Sequence, residues 1–171
     1  QYTDTLTSYP YVSVNAYNFW AYLGKNWASQ EELVWGIISY KNLGSVLIVL
    51  LTLISAVIFE LLRRKKREDR YFVTGSFLMI TTFMFSVRMH ERYLYPAMLL
   101  LVFAYLFNKE RSFVWAYILL SIAHFLNVWH VLYYYDPSTY YDHVSTIILL
   151  SGIMVMCAAY YYVVLTKSLL G

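Results

Sequence analysis

The sequence has little charge, and this scarcity excludes most soluble classes of protein. Charged residues make up 13% of its 171 residues, while hydrophobic residues make up 60%. A typical soluble domain carries about 25% charged residues. We therefore exclude a soluble globular domain and a disordered tail. A net charge of only +3 also argues against a nucleic-acid-binding protein.

Cysteine and the common catalytic motifs are also scarce. A single cysteine, Cys157, lies in an apolar run, which excludes a disulfide framework and a cysteine metal site. The sequence contains no glycine-rich phosphate loop, no G-x-S-x-G and no H-E-x-x-H, and it predicts no metal site. It begins without Met or a signal-peptide pattern, so we expect a piece of a longer protein.

Long stretches without charge predict transmembrane helices. A helix needs about 20 apolar residues to cross a bilayer, and the alternation typical of a membrane barrel is missing. The sequence therefore predicts an all-α, polytopic membrane protein with an external segment over residues 1–41. The predicted transmembrane bundle, residues 42–171, has five spans, near 42–62, 71–88, 93–108, 112–133 and 143–166.

The basic residues predict the orientation of these spans. Nine Lys and Arg residues fall on one side and four on the other, and the richer side is expected to be cytoplasmic. The nine are Arg63, Arg64, Lys65, Lys66, Arg67, Arg70, Lys109, Arg111 and Lys167. The four are Lys25, Lys41, Arg88 and Arg92. The external segment and residues 88–92 are thus predicted to face outward.

A capping pattern predicts a helix within the external segment. Ser29 and Glu32 form the S-x-x-E box that starts many helices. Apolar residues at 33, 34, 37 and 38 then follow at the spacing of one helical face. We expect a short helix from Ser29 that lies on the outer membrane surface.

The run RMHERYLYP, residues 88–96, is the strongest candidate for a binding site. Arg88 and Arg92 are four apart, so on a helix both guanidinium groups share a face and suit a phosphate. Glu91 is placed to pair with Arg88, and His90 titrates near neutral pH. The alternative is an ordinary helix end whose charged side chains reach toward water.

Polar and aromatic residues of the fourth span form a second, weaker candidate. His124, Asn127, His130 and Tyr134 share one drifting helical face near its outer end. They either make hydrogen bonds inside the bundle or line a cavity that opens outward. Tyr134 and Tyr140 belong to a tyrosine-rich stretch, which either anchors the chain in the headgroup layer or stacks on a sugar or lipid head.

Three segments resemble a known family of membrane enzymes. They are YPYVSVNAYNFWAYLGKNW at 9–27, GIISYKNLG at 36–44 and MHERYLYPAMLLL at 89–101. Their order and spacing are similar to the C-terminal part of bacterial relatives of the GPI-anchor second mannosyltransferase. That family belongs to the GT-C superfamily of integral-membrane glycosyltransferases.

The resemblance implies a function that the residues alone do not. Such enzymes transfer a sugar, here mannose or another hexose, from a polyprenyl-phosphate donor on the extracytoplasmic side of a membrane, here a bacterial cell membrane. Arg88, His90, Glu91 and Arg92 would then bind the donor phosphate. The sugar or acceptor would contact five residues, namely Asn15, Asn18, Trp20, Tyr134 and Tyr140, with His124, Asn127 and His130 as second-rank candidates.

The resemblance also places the catalytic base outside this chain. The family uses an Asp in its first external loop, upstream of the matching segments, and we do not assign that role to Asp4. The chain alone is therefore expected to be inactive, with the missing N-terminal part, the sugar donor and membrane lipid as its partners. A divalent cation stays open as a cofactor.

Two other readings do not involve sugar transfer. The chain is alternatively a membrane component of a polysaccharide or lipid-linked glycan exporter or flippase, or a purely structural membrane subunit. In an exporter the Arg pair would bind an anionic headgroup during passage. Transporter sites lie near the bilayer midplane, whereas the ionisable residues here fall near the span ends, which favours chemistry at the interface.

Overall fold

The computed structural model describes residues 9–134 and 143–171, and this part of the chain is mostly helical. Each long helix packs against the next one along the chain. In chain order the elements are β1 Ser13–Val14, α1 Phe19–Tyr22, β2 Leu33–Val34, β3 Ile38–Ser39, α2 Tyr40–Arg64, α3 Arg70–Phe85, β4 Met89–His90, a 3-10 turn Glu91–Leu94, α4 Tyr95–Asn108, α5 Arg111–Tyr134 and α6 Val144–Leu170. Asp4 and Tyr140 lie outside the described residues.

Helices occupy all five predicted positions, but they differ in length. Within the described residues, three helices, α2, α5 and α6, are long and apolar enough to cross a membrane. In contrast, α3 has 16 residues and α4 has 14. At 1.5 Å per residue they extend about 24 and 21 Å, less than the hydrocarbon thickness of about 30 Å. The structure thus fits an integral membrane protein with three such helices.

The backbone between α3 and α4 shows where one of these short helices stops and the other begins. At the end of α3, Ser86 adopts an extended backbone with ψ of 153°, which stops the helix. Pro96 sits in the first turn of α4, where its missing N–H costs no hydrogen bond. The residues between the two helices are free to pair with another segment of the chain.

The core lies around α3, and the outside of the bundle is apolar. The buried residues of α3 are Val73, Ser76, Phe77, Ile80, Thr81, Phe83 and Met84. Tyr161 of α6 is fully buried against them, and its hydroxyl lies 2.9 Å from Ser76 Oγ. By contrast, Val49 and Leu53 of α2 are each 60% exposed. Apolar side chains on the outer face of a long helix are typical of contact with lipid.

The predicted helix from Ser29 is wrong, because the chain forms a hairpin there. Strands β2 and β3 pair antiparallel, with Leu33 opposite Ser39 and Val34 opposite Ile38. The turn between them places Trp35 at φ 51° and Gly36 at φ 74°. Two consecutive left-handed residues make a tight hairpin turn that glycine favours, and they cannot lie inside an α-helix.

The residues of the expected capping box have other partners. The Ser29 hydroxyl accepts from the Glu31 N–H at 3.3 Å, and no helix follows. Glu32 forms an ion pair with Lys25 at 2.9 Å. The helix N-cap lies ten residues further on, where Ser39 Oγ accepts from the Asn42 N–H at 3.3 Å and starts α2.

The prediction that Arg88 and Arg92 share an α-helical face is also wrong. Arg88 has a left-handed backbone with φ 60°, β4 follows at Met89–His90, and Arg92 lies in the 3-10 turn. Strand β4 pairs in parallel with β1, and the Arg88 N–H donates to Tyr11 O and Val12 O, each at 3.2 Å. Pairing with a segment distant in sequence therefore overrides the helical spacing.

A network of charged side chains joins the connections at the other end of the bundle. We call residues 60–70, 108–111 and 167–171 the basic end. Arg67 Nε donates to Asp69 Oδ1 at 2.9 Å, and Asn108 Nδ2 donates to Asp69 Oδ2 at 2.8 Å. Arg67 Nη1 also donates to Ser168 Oγ at 2.7 Å and lies 3.4 Å from Glu110. These contacts tie the α2–α3 and α4–α5 connections to the end of α6.

Candidate functional site

A groove with a cavity volume of about 350 Å³ lies at the opposite end, where α5 finishes. Three segments that are distant in sequence build it: the N-terminal segment, the β4 turn and the last turn of α5. Its lining residues are Tyr9, Val14, Asn15, Trp27, His90, Glu91, Val131 and Leu132. We call it the His90 groove. It brings together Asn15, His90 and Glu91, all of which the sequence singled out.

Asn127 on α5 fixes the part of the N-terminal segment that lines this groove. Its Oδ1 accepts from the Tyr17 N–H at 3.1 Å, and its Nδ2 donates to the Asn15 carbonyl at 2.8 Å. Asn127 is fully buried, so both of its bonds are shielded from water. One side-chain amide thus pairs with the backbone of residues 15–17 as a neighbouring strand would.

His130 adds a second link one turn further along α5. The Tyr17 hydroxyl lies 2.5 Å from His130 Nδ1, and both side chains are buried. Asn127 and His130 are three residues apart, so they project from the same helical face toward the N-terminal segment. The structure therefore gives these two residues hydrogen bonds inside the bundle, and neither lines the His90 groove.

His124 and Tyr134 lie on the same helix but away from the groove lining. His124 is 4% exposed, and its ring meets that of Tyr95 edge-on with 4.5 Å between the centroids. Neither His124 nitrogen has a hydrogen-bond partner in the described part of the chain. Tyr134 packs against the rings of His130 and His143, at 4.9 and 4.6 Å between centroids.

Asn18 and Trp20 hold the N-terminal segment on the end of α3. Asn18 Nδ2 donates to Phe83 O at 3.1 Å, and Trp20 Nε1 donates to Phe85 O at 3.0 Å. The last carbonyls of a helix have no partner within it, so these bonds complete the end of α3. Both side chains are buried, and their polar atoms are occupied by these backbone contacts.

Asn15 and Trp27 form one wall of the groove. Trp27 Nε1 donates to Asn15 Oδ1 at 2.8 Å, and Asn26 Oδ1 accepts from the Asn15 N–H at 3.0 Å. Asn15 and Trp27 both have left-handed backbones, with φ of 59° and 60°. The sequence predicted Asn15 as a site residue but missed Trp27 and Tyr9. The density of aromatic residues in segment 9–27 is the signal that points to them.

The two arginines flank the groove in different ways. Arg88 is half-buried, and its Nε donates to Gln30 Oε1 at 2.8 Å. Arg92 is exposed, with its guanidinium 5.6 Å from the centroid of the Tyr93 ring. Across the described residues, neither arginine contributes to the groove lining. Arg88 therefore helps to hold the turn in place, whereas Arg92 is available to a ligand beside the groove.

The environment of His90 favours its neutral form. Burial lowers the pKa of His90 below its ordinary value of 6.5, and the positive charge of Arg92 lowers it further, while Glu91 opposes the shift. The rings of Tyr9 and Tyr93 meet the imidazole edge-on, with centroids 5.1 and 5.5 Å away. A neutral imidazole both donates and accepts a hydrogen bond.

The groove therefore combines neutral hydrogen-bonding groups, one carboxylate and aromatic rings. Such a set suits a ligand rich in hydroxyl groups, because each hydroxyl both donates and accepts and a sugar ring has apolar faces. Among the described residues, no three His, Cys, Asp or Glu side chains gather in a way that could hold a metal ion.

Comparison with family models, with curated proteins and with solved structures finds no match to this chain.

Proposed function

We propose that this chain is the C-terminal transmembrane part of a GT-C glycosyltransferase that uses a polyprenyl-phosphate-linked hexose as donor. The observation that carries the proposal is the His90 groove. It combines Asn15, Glu91 and aromatic rings with the apolar end of α5, where Leu132 is 78% exposed. A lipid-linked sugar has hydroxyl groups that suit the polar residues of the groove and an apolar tail that suits the exposed end of α5.

In this proposal the sugar lies in the His90 groove. The rings of Tyr9 and Trp27 pack against an apolar face of the hexose, and Asn15 and Glu91 bond its hydroxyl groups. Asn18 and Trp20 act indirectly, because they fix the segment that carries Asn15. Asn127 and His130 also act indirectly, because they hold residues 15–17 in place.

The donor phosphate lies beside the groove, against Arg92. Negative charge grows on this leaving group as the sugar is transferred, and a fixed guanidinium stabilises that charge. His90, with its ring in the neutral form, donates an N–H to the phosphate. Arg88 acts through the turn, since its side chain contacts Gln30.

The charges give the orientation that this mechanism needs. The basic end carries nine of the 13 Lys and Arg residues and lies opposite the His90 groove. By the positive-inside rule the basic end is cytoplasmic and the groove extracytoplasmic. In the proposal α2 to α6 all cross the bilayer, and residues 86–94, between the short α3 and α4, lie at the outer membrane surface.

The catalytic base comes from the part of the enzyme that precedes this chain. The family resemblance implies an Asp in the first external loop, which would take the proton of the acceptor hydroxyl as that oxygen bonds to the sugar and the donor phosphate leaves. The chain described here then binds and orients the donor, and the N-terminal part is its obligatory partner.

The test is turnover of a polyprenyl-phosphate hexose by the reconstituted full-length enzyme. Arg92→Ala should lower turnover on the order of 100-fold, the typical cost of removing one donor to a developing anion. Lys66→Ala at the basic end is the matched control, because Lys66 is also an exposed cation and lies at the opposite end from the groove. Near-normal turnover of Arg92→Ala would contradict the phosphate role. Movement of the lipid-linked sugar across the bilayer without transfer would favour an exporter.

A further inference from the structure

A second groove lies at the basic end, between the start of α5 and the end of α6. Its cavity volume is about 280 Å³. The polar part of its lining is Arg67, Glu110, Ser112, Lys167 and Ser168, and the rest is Tyr160, Val163, Val164 and Gly171. We call it the Lys167 groove. The groove thus combines cationic and hydroxyl groups with the apolar side chains of α6.

The two cations of this groove differ in their partners. Arg67 is surrounded, since it pairs with Asp69 and Glu110 and donates to Ser168. Lys167 is exposed, and it has no ion pair within residues 9–134 and 143–171. Lys167 therefore leaves a positive charge in the groove that no described side chain compensates.

An apolar stripe leads along α6 to this lysine. Met156, Tyr160, Val163 and Lys167 follow at steps of four, three and four, so they lie along one helical face. Met156 is 65% exposed and Val163 is 51% exposed, on a helix long enough to cross a membrane. From Met156 to Lys167 the helix rises about 16 Å, close to half of a hydrocarbon core of about 30 Å.

The stripe and the lysine together have the layout of one lipid molecule. At this length the apolar side chains would extend through about one leaflet, which would place the Lys167 ammonium at the level of the headgroups. The surrounding charge agrees, because the basic end holds nine basic residues and only four acidic ones, Glu60, Glu68, Asp69 and Glu110. Basic pockets between transmembrane helices are typical sites for anionic lipid headgroups.

We propose that the Lys167 groove binds one anionic glycerophospholipid from the leaflet at the basic end. The lipid phosphate contacts Lys167 and the Ser112 hydroxyl, and one acyl chain lies along Val163, Tyr160 and Met156. Glu110 also lines the groove, but its carboxylate is paired with Arg67 and accepts from the Ser168 hydroxyl, which reduces its repulsion of the phosphate. This inference does not depend on the proposed sugar transfer.

The experiment counts bound lipids on the purified full-length protein by native mass spectrometry. The probes are phosphatidylglycerol and phosphatidylcholine with identical acyl chains, and glycerol phosphate without chains. We expect selective retention of phosphatidylglycerol, and no retention of glycerol phosphate. Lys167→Gln should weaken phosphatidylglycerol binding about fivefold, the factor for about 1 kcal/mol per basic residue at an anionic surface. Lys167→Arg should restore it.

Lys66→Gln is the matched control, because Lys66 is an exposed lysine of the same end outside the groove. Equal weakening by Lys66→Gln and Lys167→Gln would indicate diffuse attraction and overturn the site. Equal retention of phosphatidylcholine and phosphatidylglycerol would also overturn it. Because Lys167 is exposed, its substitution leaves the fold intact. Val163→Trp is a second test, because the larger side chain blocks the apolar stripe without a change of charge.

Discussion

The two ends of the bundle are closed by different kinds of contact. At the groove end, the N-terminal segment that precedes α2 is held by hydrogen bonds between neutral groups. These bonds involve Asn127, Asn18 and the pair of Tyr17 with His130. At the basic end, the connections are held by Arg67 and its carboxylate partners. The structure of the groove end is therefore held by directional hydrogen bonds between neutral groups, whereas that of the basic end is held by ion pairs.

This difference follows from where each set of contacts lies. Asn127 is fully buried within a candidate membrane span. An unpaired charge would be very costly there, whereas a neutral amide is tolerated when its oxygen and its nitrogen are both hydrogen-bonded. The basic end lies in the connections between helices, where the Arg67–Asp69 pair is buried and the pairs of Glu60 are exposed to water. A groove that must keep its shape is thus built on buried amide and hydroxyl contacts.

The largest expected effect is at the basic end. Asp69 is 2% exposed and accepts from both Arg67 and Asn108, so Asp69→Ala leaves a largely buried guanidinium without its main partner. We expect a loss of about 3 kcal/mol in the free energy of unfolding, the range for breaking a buried pair. Thermal unfolding in detergent measures it.

The matched control is a pair on the surface. Glu60 bonds both Arg63 and Arg64, but all three side chains are well exposed. Glu60→Ala should therefore change the unfolding temperature little, because water and salt screen such pairs. If the two alanine variants unfold at the same temperature, the distinction between buried and exposed charge at this end is wrong.

The sequence predicted the helical part of this architecture well, for a physical reason. A stretch without charge that is long enough to cross a bilayer has few stable structures, so α2, α5 and α6 follow from composition alone. The sequence also placed helices at α3 and α4. It overestimated their length, because the stop at Ser86 depends on pairing between β4 and β1.

The groove was predicted only in part. His90 and Glu91 were predicted from the chemistry of the run at 88–96, Asn15 was implied by the family resemblance, and the structure places the three together. Their surroundings depend on contacts between distant residues, such as Asn127 with the backbone of residues 15–17, which local spacing cannot reveal. The hairpin at 33–39 replaces the helix predicted from the capping pattern at Ser29, because Trp35 and Gly36 have left-handed backbones that form a turn.

The second prediction tests the groove end. Asn127→Leu removes one acceptor and one donor from buried backbone groups, at Tyr17 and Asn15. We expect a loss of about 2 kcal/mol, the lower end of the range for two buried polar groups that each cost about 1–3 kcal/mol when left unpaired. Residues 9–27 should also become sensitive to limited proteolysis. Asn42→Leu, on the exposed start of α2, is the control and should leave both measurements unchanged.

A smaller effect is expected for the neighbouring link. Tyr17→Phe removes the hydroxyl that lies 2.5 Å from His130 Nδ1 while keeping the packed ring. The expected loss is about 1 kcal/mol, the usual net contribution of one hydrogen bond. Because Asn127 and His130 hold the same segment, Tyr17→Phe combined with Asn127→Leu should cost less than the sum of the two single changes. Strict additivity in thermal unfolding would show that the two links act separately.

The smallest effect concerns the acid side of the stability profile. The pKa of His90 is lowered by burial and by Arg92, so the folded protein disfavours a proton that the unfolded chain accepts near pH 6.5. The stability contributed by neutral His90 is therefore present above pH 6.5 and is lost as the pH falls through the lowered folded pKa. His90→Gln should flatten this part of the profile of unfolding temperature against pH. Arg92→Gln should make the fall in unfolding temperature at acid pH smaller, because it removes one of the two causes of the lowered His90 pKa. An unchanged profile in both variants would show that His90 does not titrate differently in the folded protein.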